Sequence, residues 1–276
     1  MVDTGRPPNR GTETSHASGA APGEPSRWDA GEYELIADRL APVHDRIVEL
    51  LRPRRSERWL DVGTGTGAVA LRAARLGADV TGVDISESML ARAEQNAAAA
   101  GVGVRWVEAS AEALPFPAAA FDVVVSCFGV VFADDHAASA RELARVCRPG
   151  GRLCVTAWGE SESASIVDRH LPPTRKGDDP TAWFRRDTVE RLLGGAFRLE
   201  LAYETWRFEA SSATELWSIT ARGMPPLRRA LARLEPARLE RLSAEPIASW
   251  RRFESGSGVS VPYDFVLITG RRRARG

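Results

Sequence analysis

Trp59-Leu-Asp-Val-Gly-Thr-Gly-Thr-Gly-Ala-Val-Ala70 is the stretch from which the fold can be read. Arg58 to Val62 is apolar enough for a short buried strand. Val69, Leu71, Ala73, Ala74 and Leu76 follow at helical spacing and stop at Gly77. Three glycines between a strand and a helix let the backbone turn sharply and approach a ligand closely, because no Cβ intervenes. The N–H groups at the helix start then point at that ligand. A buried strand feeding such a loop marks the ligand-binding end of a doubly wound α/β sheet.

Two kinds of ligand compete for this loop. Gly63, Gly65 and Ala68 satisfy the loose dinucleotide pattern G-x-G-x-x-G/A. Asp61, however, stands two positions before the first glycine, where its carboxylate would repel a pyrophosphate and attract a cationic ligand. A second short strand, Asp79-Val-Thr-Gly-Val-Asp84, ends in another acid roughly 20 residues beyond the loop, the spacing at which a carboxylate accepts from ribose hydroxyls. Asp84 therefore points to an adenosine, and Asp61 to positive charge on whatever the adenosine carries.

Four blocks occur in order: Asp61-Val-Gly-Thr-Gly-Thr-Gly67; Val83-Asp84-Ile-Ser-Glu-Ser-Met-Leu90; Ala113-Leu-Pro-Phe-Pro117 with Phe121-Asp122; and Arg145-Val-Cys-Arg-Pro-Gly-Gly151. Together they resemble the class I S-adenosylmethionine-dependent methyltransferases, in particular the small-molecule enzymes related to quinone-biosynthesis methyltransferases. The resemblance runs from about Trp28 to Trp158. It implies a Rossmann-like, mostly parallel sheet of seven strands with S-adenosylmethionine as cofactor. The glycine loop (Gly63, Thr64, Gly65, Gly67) would hold the methionine end, with Asp61 near its ammonium. Asp84 would hold the ribose with Ile85 beside it, and Ser126, at the end of the fourth strand, would complete the cofactor site. At the adenine the family commonly has an Asp followed by a small residue. Here Ser110 replaces that Asp and Ala111 follows, so a neutral hydroxyl stands where a charge is usual. Tyr33, on an N-terminal helix that covers the cofactor in the family, would close the site with Trp28 and could bond the methionine carboxylate. The residues alone allow both to be ordinary anchors of an amphipathic helix. The implied partner is a small-molecule methyl acceptor.

Composition fits this reading and narrows it. With 37 basic and 37 acidic residues in 276, the chain has no net field to recruit nucleic acid or an anionic membrane. The end of the fourth strand, Ser126-Cys-Phe-Gly129, lacks the Asn/Asp-Pro-Pro-aromatic motif of enzymes that methylate exocyclic base amines. Cys127, Cys147 and Cys154 have neither metal-ligand nor disulfide spacing and suit a reduced, cytoplasmic setting; no metal is expected. No apolar run reaches transmembrane length. Residues 1–27 are rich in Pro, Gly, Ser, Thr and Ala and read as a disordered tail. Residues 28–276 then form one domain, with the nucleotide half at 56–158.

Within that domain, residues 33–51 read as an amphipathic helix divided by Pro42. Ser86 and Gly101 bracket another helix. Asp134-Asp135-His136 opens a further one. Either Asp can cap it, while the sharper reading makes His136 a general base. Beyond Trp158 the resemblance fades. Strands are expected over Phe197–Phe208 and Pro262–Gly270, and the resemblance implies that they form an antiparallel edge. Between them a helical insertion at about 209–258 carries Trp217, Trp250 and Phe253, too apolar for a solvated loop. It is a lid over the acceptor or the contact of a homodimer.

Overall fold

Alternation along the first strand sets the layers of the molecule. In the computed structural model, which describes residues 28, 32–162, 165–166 and 177–274, β1 spans Arg58–Val62. Trp59 enters one apolar cluster with Ile47 and Val123, and Leu60 enters the opposite cluster with Val124 and Leu143. All six are less than a tenth exposed. Asp61 follows Trp59 by two and therefore shares the Trp59 face. The tail 1–27 and most of the polar stretch after Trp158, Pro172-Pro173 included, lie outside the described residues.

β1 pairs in parallel with β2 (Asp79–Asp84) on one side. On its other side stands the strand Phe121–Cys127, also parallel. With β3 as Arg105–Glu108, that strand is β4, and β5 (Cys147–Trp158) follows it. Two long strands complete the sheet, β6 (Phe197–Ala210) and β8 (Gly258–Arg272), with the two-residue β7 (Glu254–Ser255) between them in sequence. The order is β3-β2-β1-β4-β5-β8-β6, and β8 runs antiparallel between β5 and β6. The expected seven strands thus gain one, because β7 pairs the start of β8 in a short hairpin. Chain connections leave β1 toward β2 on one side and reach β4 on the other. That is the switch point where a crevice opens beyond the strand ends.

Helices pack on both faces: α3 (Ala68–Arg75), α4 (Glu87–Ala100) and α5 (His136–Val146) belong to the nucleotide half. The Ser86 hydroxyl accepts from Met89 N at 3.4 Å to start α4, and Gly101, at φ +66°, ends it. Asp135, of the two candidate acids, caps α5 by accepting from Ala138 N at 2.8 Å.

Two of the sequence blocks prove to be architecture. Arg145 donates to Phe116 O and Leu114 O at 2.5 and 2.9 Å, clamping the Leu-Pro-Phe-Pro turn onto α5. Asp122 takes Arg58 at 3.1 Å and Arg148 at 2.5 Å, tying β1, β4 and the start of β5 at the edge away from the crevice. Arg148 to Gly151 bulges within β5: Phe121 pairs Cys147, and Val123 pairs Arg152.

The N-terminal cover is broken near Pro42 as its sequence requires. A short α1 (Glu34–Ala37) passes through a 3-10 turn into α2 (Ala41–Leu51), with Pro42 in the first turn where it needs no donor. The insertion forms three helices; with Arg186–Val189 as α6, these are α7 (Ala213–Gly223), α8 (Pro225–Leu231) and α9 (Pro236–Trp250). Leu216, Leu242 and Trp250 are at most 1 % exposed, in one cluster with Val43, Ile47 and Trp206. Trp217, 8 % exposed, lies against Trp250. These aromatics are core of a single chain, which removes them as the anchors of a dimer contact. Gly223 of α7 sits so close to α1 that a Cβ there would meet Ile36 at 2.8 Å.

Candidate functional site

At the crevice the loops after β1 and β4 cross in contact. A Cβ on Gly63 would lie 2.7 Å from Gly129 Cα, and Gly63 has φ +67°, so both shape and backbone require glycine there. Ser126 locks the crossing: its hydroxyl donates to Val62 O at 2.6 Å and accepts from Val130 N at 2.8 Å. Ser126 is 0 % exposed. Its hydroxyl hydrogen is thus spent inside the scaffold. Gly67 is closely packed as well. A Cβ there would meet Trp106 at 2.9 Å and Ala93 at 3.3 Å, so it is a packing glycine beneath α4.

The remaining loop residues line a small cleft with Tyr33, Ala37, His44 and Cys127. Asp61 is its electrostatic centre. Oδ2 accepts from Thr64 Oγ1 at 2.8 Å and from Ala70 N at 3.2 Å. Oδ1 is buried without a hydrogen-bond partner. Burial pushes this carboxyl up to about 7, the Asp84 charge adds to the rise, and the Thr64 and Ala70 bonds oppose it. Thr64 is thus a positioning residue for Asp61, with its hydrogen committed.

Asp84 is also buried, and its carboxylate already serves the backbone. Oδ2 accepts from Gly65 N at 2.8 Å and Oδ1 from Ser86 N at 3.0 Å, which ties the glycine loop to the start of α4. Burial raises its carboxyl and these N–H groups lower it. Each oxygen keeps a further lone pair for a ribose hydroxyl. Ile85 stands beside it, 49 % exposed, an apolar surface next to this carboxylate. Past the end of β3, Ser110 accepts from Glu112 N at 3.2 Å and is partly buried, as is Ala111.

Tyr33 closes the cleft from above, its ring 3.5 Å from where a Gly65 Cβ would be. Burial foremost, with Cys127 and Asp84 nearby, holds its phenol well above the usual range. The segment is pinned on both sides: Glu32 takes Arg222 of α7 at 2.6 and 2.8 Å, and Glu34 pairs Arg92 of α4 at 2.9 Å. Trp28 lies on Phe132, ring centroids 4.8 Å apart, above the loop that follows β4.

His136, the candidate base, is packed within the scaffold. It is 3 % exposed, and its Nε2 donates to Val131 O at 2.8 Å. Its Nδ1 lies 3.8 Å from Asp178, and its ring meets Trp183 edge-on at 5.6 Å. His44 is the residue that sequence reasoning passed over. A single His on an amphipathic helix carries no motif, yet α2 sets it in the cleft at 5 % exposure. Beyond Cys127 an aromatic wall begins. Phe128 and Trp158 stack at 3.8 Å with 3° between planes, and Phe265 closes on both.

An unpartnered buried carboxylate oxygen beside the glycine loop, with a second buried carboxylate at the end of β2, fits a ligand that brings hydroxyls to one and a cationic group to the other. The two carboxylates do not fit a pyrophosphate. Among the described residues no cluster of side chains could hold a metal, and no helix is long and apolar enough to cross a membrane.

Comparison with known proteins agrees. The methyltransferase domain model matches residues 60–155. An uncharacterized protein of Mycobacterium tuberculosis is 45 % identical over 192 residues, covering 68 % of this chain and 69 % of that protein. A nocamycin O-methyltransferase of Saccharothrix syringae is 28 % identical over 290 residues, covering 88 % of this chain and 99 % of its own length. Among solved structures, the 4+2 cyclase SpnF superposes with a TM-score of 0.57 at 23 % identity, covering 91 % of this chain and 97 % of that one. The cyclase shares the fold, and that fold alone does not decide the reaction. With the four blocks in register, the glycine-loop cleft and a relative matched over two thirds of its length, this chain belongs to the S-adenosylmethionine-dependent methyltransferases.

Proposed function

We propose that this protein binds S-adenosylmethionine in the glycine-loop cleft and transfers its methyl group to an O, N or C nucleophile of a small molecule, in quinone or secondary-metabolite biosynthesis. The observation that carries the reading is the unpartnered Oδ1 of Asp61. A buried carboxylate oxygen is costly unless something cationic reaches it. The cofactor supplies a methyl group already activated by its sulfonium. What remains for the chain is alignment and exclusion of water. Gly63 and Gly65 admit the backbone close to the ligand, Asp61 receives its ammonium, Asp84 and Ile85 frame the ribose, and Ser110 with Ala111 edges the adenine. Tyr33 shuts the cleft. The acceptor approaches along the wall of Phe128, Trp158 and Phe265, which favours a flat or apolar molecule.

A second reading has its own support: a protein that binds the cofactor without methylating, since His136 is engaged in packing and supplies no base. Calorimetry with S-adenosylhomocysteine and with NADH tests the cofactor, and formation of S-adenosylhomocysteine over a panel of phenols, amines and enols tests the transfer. Heat with NADH alone would end the methyltransferase reading. Tight cofactor binding without turnover on any acceptor would favour the second.

A further inference from the structure

Two residues that line the cleft each carry a buried polar atom without a hydrogen-bond partner. Asp61, with Oδ1, stands near the end of β1, and His44, with Nδ1, on α2. His44 is 5 % exposed, so its nitrogen cannot be satisfied by open solvent, and leaving it bare is unfavourable. Nothing in the packing of α2 needs a polar ring there, where Val43, Ile47 and Val48 bury apolar side chains. Two orphaned groups facing one small cleft call for one ligand group that satisfies both.

We infer that His44 is a cofactor-binding residue, whose Nδ1 accepts from the α-amino group of the methionine end while Asp61 Oδ1 accepts from the same group. The inference rests on the cofactor reading above. An ammonium offers three hydrogens and needs acceptors, and a carboxylate with a neutral imidazole supplies two without bringing a second negative charge. A neutral ring is what the surroundings enforce. Burial holds the imidazole down at about 4, Arg72 pushes in the same direction, and Asp45 opposes them weakly. Arg72 itself is held by Asp45 at 2.6 Å and by Ala68 O at 2.9 Å, so it is engaged outside the cleft. A carboxylate ligand at this spot would face the Asp61 charge, which is why the amine is assigned to His44 and the carboxylate is not.

The test uses the full chain and three probes: S-adenosylhomocysteine, its deaminated analogue that keeps the carboxylate, and methylthioadenosine, which lacks both groups. His44→Leu should bind S-adenosylhomocysteine about tenfold more weakly or worse, with the other two probes within about twofold of wild type. His44→Asn, whose side-chain oxygen takes the place of Nδ1, should recover most of the loss. His44→Gln, whose oxygen reaches further, should not. Equal losses on the amine-bearing and deaminated probes, or no loss on either, would overturn the assignment. If His44→Leu fails to fold, judged by melting, the Asn and Gln pair decides, and equal affinities for the two variants would overturn it. Wild-type protein that binds none of the probes would overturn the cofactor reading itself, and this assignment with it.

Discussion

The Thr64 hydroxyl donates to Asp61 Oδ2 at 2.8 Å, so one oxygen of the carboxylate is fixed within the loop while Oδ1 is left to the cleft. The orientation follows from the loop: Thr64 N donates to Val83 O at 2.9 Å, and Gly67 N to Thr64 O at 2.9 Å, so Thr64 cannot swing away. Asp61→Asn keeps an oxygen for these donors and removes the charge. Affinity for S-adenosylhomocysteine should fall at least about tenfold while methylthioadenosine is unaffected, because a charge-assisted bond contributes about 1.5–3 kcal/mol. Calorimetry at pH 8 reads both. An unchanged affinity would place the ammonium elsewhere.

The same carboxylate predicts a pH dependence. Burial, and then Asp84, raises Asp61 to about 7, so near pH 6 it is mostly protonated and draws a cation weakly. Affinity should therefore rise from about pH 6 to 8, with proton release on binding near neutrality, and Asp61→Asn should flatten the curve. Stability carries the opposite sign. Between the ordinary 3.8 of a free Asp and about 7 the folded protein holds a proton that the unfolded chain has lost, so Asp61 lowers stability as pH rises through that window. His44, lowered from 6.5 to about 4, raises stability with pH over that interval. The two oppose one another in wild type. Asp61→Asn should expose the rising limb in melting curves taken from pH 4 to 6.5; a limb that falls would refute the His44 assignment of charge.

Asp84→Ala does two things at once. It removes the acceptors for a ribose, and it releases Gly65 N and Ser86 N, which the carboxylate holds at 2.8 and 3.0 Å. Cofactor affinity should drop at least about tenfold. The melting temperature should fall as well, by more than a ligand-facing strand end would predict. Asp84→Asn, able to accept but at reduced strength, should lie between. Full affinity in a folded Asp84→Ala protein would show that the ribose sits off this strand.

His136→Phe keeps the shape of a ring packed on Trp183 and deletes the bond to Val131 O. A buried acceptor left unpaired costs about 1–3 kcal/mol, so stability should fall by that order. Turnover at saturating acceptor should stay within about threefold of wild type, since the residue touches no reacting atom. A collapse of kcat with cofactor affinity intact would restore the catalytic base.

How far the sequence could be read depends on the range over which each residue's partners lie. The β1 loop, the acid at the end of β2 and the caps at Ser86 and Asp135 are local, and each was legible because its neighbours within a few residues define it. The packing of Gly67 and Ser126 was not legible, because it involves residues remote in the chain: Trp106 and Ala93 for the one, Val62 for the other. Arg145 and the Leu-Pro-Phe-Pro turn were read as marks of resemblance, and only the fold shows that they hold each other. His44 was invisible for a different reason. An isolated histidine on a helix is defined by the cleft it enters, and no spacing encodes that.

The insertion admits a sharper test now that its packing is known. Trp250 is 1 % exposed and Trp217 8 %, and both sit in the cluster that carries the cover helix α2 and strand β6. Aromatic enrichment fits a lid and a dimer contact equally, but side chains this buried within one chain cannot also be the face offered to a second copy. Trp250→Ala should therefore destabilise the fold by about 3–5 kcal/mol, as large-to-small changes of buried aromatics do. Trp217→Ala should cost less, because its edge is already near the surface. Neither should change the sedimentation coefficient of the folded protein. Because α7 also holds the cover through Arg222 and Glu32, loosening the insertion should reach the cleft. S-adenosylhomocysteine affinity should weaken in Trp250→Ala even though Trp250 touches no ligand, and the Arg222→Gln change, which breaks the ion pair and leaves the core intact, should reproduce a part of that loss. If Trp250→Ala shifts the protein to a smaller species while its melting temperature holds, the dimer contact is restored and the core assignment fails.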